Sequence, residues 1–265
     1  MSKRPPDASK QKRLQEKSAK QQSLDGGNAT GTAHVYRVRA HANPFADRPI
    51  EHPVKPSCVK WDDVYGVSEP PTVADVGCAW GGLEIALGQR FPDTRVVGFE
   101  LRQQVAETAA TRVREAGVPG VAVILCHCEK HLACWLRPEQ LDKVIVAFPD
   151  PHWKQGDTVR RLHRGLLCEA MLAQYAYFMK DGALLYTATD VRGFADAVFP
   201  AIDSFPLLQR VPEAEIADDP WLAVILTSTE QAQLIDRHGG DKHWAVYRRV
   251  PRSLSSSPSS LPKSA

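Results

Sequence analysis

Five short, nearly unbroken apolar runs punctuate the chain, and the stretches between them place apolar residues at helical spacing. The runs are "TVADVGC" (72–78), "RVVGFE" (95–100), "VAVILC" (121–126), "KVIVAF" (143–148) and "ALLYTATD" (183–190). Runs this short and this rich in β-branched residues read as strands buried on both faces. The stretches 81–90, 103–116, 129–136 and 165–180 read as helices, and "HWAVYRRV" (243–250) reads as a late strand. Strand and helix alternating in this way predict an α/β fold, a mostly parallel sheet with helices on both faces. In such sheets ligands bind outside the carboxyl ends of the strands, near the point where strand order reverses.

Composition refines the ends of this picture. Residues 1–33 are polar and rich in Gln, Lys and Ser, and are expected to be disordered, as is the Ser/Pro-rich tail 251–265. Between them, 34–250 forms the expected folded domain. The length of 265 residues also admits two smaller domains. The formal charge is only +2, but residues 1–20 hold seven basic residues against Asp7 and Glu16, a net of +5 that leaves −3 for residues 21–265. A basic arm on a slightly acidic body suits an anionic partner. No apolar stretch follows the arm, so it does not read as a secretory signal, and no run is long enough to cross a bilayer. Six cysteines without such a signal are expected to be reduced thiols. Cys126, His127, Cys128 and His131 match no tetrahedral ligand spacing, Cys126 and Cys128 fall on one face of the third strand, and no metal is expected.

The chemistry gathers at the strand ends. Asp75 lies just inside the end of the first strand, Glu100 ends the second, Asp150 follows the fourth and Asp190 follows the fifth, so four acids share one rim. In "VIVAFPDPHWK" (144–154), Pro149 and Pro151 restrict the backbone on either side of Asp150. "DVGCAWGG" (75–82) marks a strand-to-helix turn in which glycines let a ligand approach the backbone and the helix N-terminus. Ala79 stands where the strict dinucleotide pattern has its second glycine. Glu100 has the position and chemistry to grip a ribose diol. These residues indicate an adenosine-type cofactor and leave NAD and S-adenosylmethionine open.

"ADVGCAWGG", "VGFELR", "AFPDPHWK", "RRL", "YTATDV" and "TSTE" (227–230), in this order, closely resemble the tRNA (guanine-N7)-methyltransferases. "YRVRAHANPFADRPIEHPVKP" (36–56) with Trp61 resembles the lead-in of the eukaryotic catalytic subunit, which works with a WD-repeat protein. The resemblance covers about residues 34 to 250. It implies a Rossmann-like class I methyltransferase fold using S-adenosylmethionine, with tRNA as substrate and a guanine of the variable loop as target. It implies Asp75, Gly77, Glu100, Leu101, Arg102, His127, Cys128 and Ala147 as cofactor contacts and Asp150 as the catalytic acid. It implies Lys154, Asp190, Thr227, Thr229 and Glu230 as substrate contacts. Arg160 and Arg161, with Arg164, add basic groups suited to RNA phosphates. A WD-repeat partner in a heterodimer, and location in the nucleus or also the cytoplasm, are further expectations of the resemblance. The rival reading is a tRNA-binding scaffold that kept the fold and lost transfer. A small-molecule methyltransferase fits the basic arm and the Lys154 to Arg164 cluster less well.

Three positions depart from the family pattern. Ala79 replaces a usual glycine, so a positive φ there would cost roughly 1–2 kcal/mol. His127 stands where relatives carry Asn or an acid. "QGDTV" (155–159) lacks the basic residues usual before Arg160 and Arg161, and about four residues are extra near 163–170.

Overall fold

The computed structural model describes residues 50–150 and 165–251. Seven strands form one sheet in the order β3-β2-β1-β4-β5-β7-β6. They are β1 (Val73–Val76), β2 (Val96–Glu100), β3 (Val121–Leu125), β4 (Leu141–Ala147), β5 (Met179–Thr189), β6 (Leu208–Arg210) and β7 (His243–Arg249). β1 to β5 run parallel, while β7 lies antiparallel between β5 and β6. The helices are α1 (Trp61–Tyr65), α2 (Gly82–Arg90), α3 (Gln103–Glu115), α4 (Cys128–Trp135), α5 (Glu169–Phe178), α6 (Arg192–Asp203), α7 (Glu213–Ile216), α8 (Pro220–Ser228) and α9 (Glu230–His238). The α/β architecture expected from the pattern is present.

Alternation along the strands sorts the core into two layers. Ala74, Val76, Val97 and Phe99 point to one face, where Leu132, Met171, Tyr175 and Val198 from α4, α5 and α6 pack on them. Val73, Val96, Ile145 and Tyr186 point to the other, under Leu83, Leu87, Val113, Leu222 and Ile225 from α2, α3 and α8. Burying these side chains at about 1.5–3 kcal/mol each drives the sheet to be covered on both sides.

Two expectations need correction. β3 is not buried on both faces: Val121 is buried, but Ala122 to Leu125 are only half-buried, because β3 is the edge strand. Cys126 and Cys128 do not share a strand face, since β3 ends at Leu125 and Cys128 opens α4. Both are nonetheless buried, and all six cysteines of 50–150 and 165–251 are free thiols.

The sequence pattern also passes over five helices (α1, α6, α7, α8 and α9) and β6. α8 is the instructive one, because "PWLAVILTS" is apolar enough to suggest a strand. Its helical start is fixed by Asp219, whose carboxylate accepts from Trp221 N (2.7 Å) and Leu222 N (3.4 Å), with Pro220 at the first helical position. Tyr186 from β5 donates to the same carboxylate at 2.8 Å, fastening α8 to the sheet. Among the described residues no helix is long and apolar enough to cross a membrane.

Candidate active site

β1 has β2 on one side and β4 on the other, so strand order reverses at β1 and the rim opens between β1 and β4. The chain leaves β1 through a turn with left-handed backbone at Gly77 (φ 93°), Ala79 (φ 48°) and Gly81 (φ 78°). Gly77 N and Cys78 N donate to Phe99 O at 2.8 and 3.1 Å, and Gly81 N donates to Cys78 O at 3.1 Å. Ala79 therefore carries the positive φ, and its Cβ stores strain of roughly 1–2 kcal/mol. The turn delivers Gly82 as the first residue of α2, with the unpaired amides of that helix end at the rim.

Glu100, 5 % exposed at the end of β2, faces this turn. Its Oε2 accepts from Ala79 N at 3.1 Å and Arg102 Nη2 at 3.3 Å. Its Oε1 accepts from Arg102 N at 2.8 Å and Arg102 Nε at 2.9 Å. The carboxylate is thus aimed by backbone on both sides, as a group that grips a diol must be. A ligand's hydroxyl pair would share these oxygens with the Arg102 guanidinium or move it. Leu101 and Arg102 are half-buried beside it. His127 is the N-cap of α4 and Cys128 its first residue, and both are buried next along the rim. The backbone joins them to Glu100 through Cys126 N, which donates to Glu100 O at 2.9 Å.

Asp75 is placed deeper than its neighbours. It pairs in register with Gly98 of β2 and Ile145 of β4 on the face covered by α2. From α2, Glu84 turns inward and is fully buried. The missing side chain of Gly98 makes its room, since a Cβ there would lie 2.7 Å from Glu84 Oε1. Burial pushes the Asp75 carboxyl up to about 7; a hydrogen bond from Glu84 lowers it, while Glu100 and Glu230 raise it. Burial, then the Asp75 charge, holds Glu84 well above the usual carboxylate range. Neither Glu84 oxygen meets an N–H or hydroxyl donor. Burial of two carboxyls side by side thus favours the protonated form of each. Nothing in the sequence pattern marks Glu84 as buried; the one available signal was three glycines, Gly82, Gly88 and Gly98, clearing space around α2.

Across the opening, β4 ends at Ala147, which pairs in register with Ala188 of β5. Phe148 then takes φ 51°, with its N–H held by Ala188 O at 2.7 Å. Positive φ at a bulky residue is strained, and that bend, together with Pro149, sets the direction in which Asp150 leaves the sheet. Asp150 is exposed on the rim. Asp190 is exposed at the end of β5 and accepts from Gln231 Nε2 at 2.9 Å.

Gln231 belongs to the corner between α8 and α9. Thr229 caps α9, its Oγ1 accepting from Ala232 N at 2.9 Å. Thr227 spends its hydroxyl on Ala223 O at 2.8 Å. Glu230 accepts from Arg112 Nη1 at 2.6 Å, and the same nitrogen donates to Trp80 O in the glycine turn. The corner thus gathers on the rim, with Glu230 at the turn after β1 and Gln231 at the acid after β5. Arg112 had no mark in the sequence. Lys154, Arg160, Arg161 and Arg164 lie outside the described residues.

His131 lies with His52 and Cys134, not with Cys126 and Cys128. The ligand-type atoms of these three are within 4.8 Å of one another, and the two imidazoles stack at 3.8 Å. Burial, followed by the neighbouring His52, His127 and Lys130, keeps His131 below its ordinary value.

Residues 69–245 match the family described as "Putative methyltransferase". A protein of Lodderomyces elongisporus named tRNA (guanine-N(7)-)-methyltransferase is 35 % identical over 231 residues, covering 82 % of this chain and 74 % of that protein. Proteins with the same name from Mus musculus and Zea mays are each 33 % identical. They cover 83 % and 85 % of this chain, and 91 % and 95 % of their own lengths.

Proposed function

The chain belongs to the tRNA (guanine-N7)-methyltransferases, which transfer a methyl group from S-adenosylmethionine to N7 of a guanine in tRNA, and we propose how its residues divide that reaction. The observation that carries the proposal is the opposition, across the β1/β4 opening, of a buried, fully hydrogen-bonded Glu100 and an exposed Asp150.

The residues of the first half fit the cofactor. The turn from Gly77 to Gly82 brings backbone close to a ligand, and Glu100 offers two oriented oxygens to ribose hydroxyls. Leu101, Arg102, His127 and Cys128 continue that wall, and Ala147, small at the end of β4, leaves the opening clear. When bound, S-adenosylmethionine supplies an electrophilic sulfonium methyl.

The second half suits the base. Guanine N7 carries its lone pair in its ordinary neutral form, so no proton has to be removed before it attacks. The residues must instead hold the purine in line and offset the positive charge that grows on it. The Asp150 carboxylate does both when it accepts guanine N–H donors beside the ring. The strained Phe148 and Pro149 fix its direction, which keeps the reorganisation cost out of the reaction step. Asp190, Thr227, Thr229 and Glu230 are the further substrate contacts of this reading, with Lys154, Arg160 and Arg161 as the expected phosphate contacts.

Three finer points belong to this reading. A guanine of the variable loop is the target. A WD-repeat subunit braces the chain, because residues 21–265 sum to −3 and offer little basic surface for tRNA. The basic arm and the family resemblance favour a nuclear site of action, which imaging of the tagged chain with and without residues 1–20 would test. For the function itself, labelled S-adenosylmethionine and bulk tRNA are incubated with the chain, alone and with the WD-repeat subunit. Label is expected in 7-methylguanosine at a variable-loop guanine, strongest with the subunit. Label elsewhere, or in no nucleoside, contradicts the reading.

A further inference from the structure

Arg112 sits behind the glycine turn rather than in front of it. α3 packs against the turn through Ala109, whose Cβ would lie 3.2 Å from a Cβ placed on Gly81. Arg112 is three residues further along α3, on the same face. Its Nη1 donates both to the Trp80 carbonyl and to Glu230 Oε1. Glu230 reaches this point only because Gly82 has no side chain: a Cβ there would stand 2.7 Å from Glu230 Oε1. Glu230 itself is the first residue of α9, where a negative charge is favoured by the helix dipole.

We propose that Arg112 is a positioning residue for cofactor binding, tying the glycine turn to the α8–α9 corner by holding Trp80 O and Glu230 together. The inference rests on the methyltransferase reading above. Three left-handed residues in five leave the turn with few backbone bonds of its own, so the orientation of its peptide planes needs outside support. The plane between Trp80 and Gly81 is held at both ends, its carbonyl by Arg112 and its N–H by Cys78 O at 3.1 Å. That fixes the entry to α2 and the direction of the amides that end exposes. The same corner reaches Asp190 through Gln231 at 2.9 Å, so the latch joins the cofactor turn to the substrate side of the rim.

The test uses the full-length chain. Wild type is titrated with S-adenosylhomocysteine by calorimetry, beside Arg112→Gln, Arg112→Lys, Glu230→Gln and the Arg112→Gln/Glu230→Gln double variant. Arg112→Gln should weaken binding by about tenfold, the size of one hydrogen bond to a charged group. KM for S-adenosylmethionine should rise in parallel, with kcat at saturating cofactor within about twofold of wild type. Arg112→Lys should recover part of the affinity, since the ammonium keeps the charge and the donors but not the reach or fixed direction of the guanidinium. The double variant should be little worse than either single one, because the two residues act as a unit. Additive losses, unchanged affinity in Arg112→Gln, or a fall in kcat with KM unmoved each overturn the latch. If Arg112→Gln does not fold, the Arg112→Lys and Glu230→Gln titrations decide the matter by cofactor affinity alone. Failure of wild type to bind S-adenosylhomocysteine would instead reject the underlying reading.

Discussion

The two sides of the rim are built in opposite ways. On the β1–β2 side Glu100 is 5 % exposed and its oxygens accept four hydrogen bonds, three of them from Arg102. On the β4–β5 side Asp150 and Asp190 are exposed at the ends of their strands. A small ligand gains from the first arrangement, in which groups are aimed before it arrives and little ordering is left to do. A nucleotide within a folded RNA needs the second, because its base must enter from outside while the backbone stays in solvent. On the proposed reading, the contrast lets a single edge of the sheet serve two partners of such different size.

The contrast is broken most severely by removing the acid on the open side. Asp150→Ala should lower methyl transfer by about 10²–10³-fold, the usual loss when one preorganised charge is taken from a transition state. S-adenosylhomocysteine affinity, read by calorimetry, should hardly move. Removing the acid on the closed side should do the reverse. Glu100→Ala should weaken cofactor binding by about 10–100-fold, the range for losing a hydrogen bond to a charged group, with titration calorimetry as the readout.

The buried pair behind the turn sharpens the same contrast through pH. Asp75 is raised to about 7 and Glu84 well above the usual carboxylate range, so the folded chain holds more protons than the unfolded one above that range. Their contribution to stability is present at low pH and is lost as pH rises from the ordinary carboxylate range through about 7. Cys78, Glu100 and Glu230 also face the pair and add to the penalty for a second negative charge there. The thermal midpoint should fall by several degrees (~4 °C, about 1–2 kcal/mol) between mildly acidic and alkaline buffer. Glu84→Gln, which keeps a donor and cannot ionise, should flatten that fall. The smallest effect belongs to Ala79. Ala79→Gly releases the left-handed strain at φ 48°, and thermal melts of the cofactor-bound chain should show a stabilisation of roughly 1 kcal/mol.

What the sequence made legible follows from the same physics. β1, β2 and β4 lie inside the sheet, so their residues are apolar almost without interruption and their ends, with Asp75, Glu100 and Asp150, could be located. β6, with three residues, is too short to carry a pattern, and α8 is apolar enough to mimic a strand. Glu84 and Arg112 were hidden for another reason. On amphipathic helices, charged residues ordinarily face water, and only the glycines at 82, 88 and 98 showed that α2 approaches its neighbours closely enough to bury one. Glu230 was legible as a family position, while its bond to Arg112, 118 residues away in sequence, was not.

The division of the rim is tested most directly by one comparison under single-turnover conditions. Glu100→Ala and Asp150→Ala are each assayed on tRNA over rising S-adenosylmethionine, with enzyme in excess. If the two sides serve separate partners, saturating cofactor should return the Glu100→Ala rate to near that of wild type and leave the Asp150→Ala rate about 10²–10³-fold low. Recovery of both variants, or recovery of Asp150→Ala alone, would contradict the account.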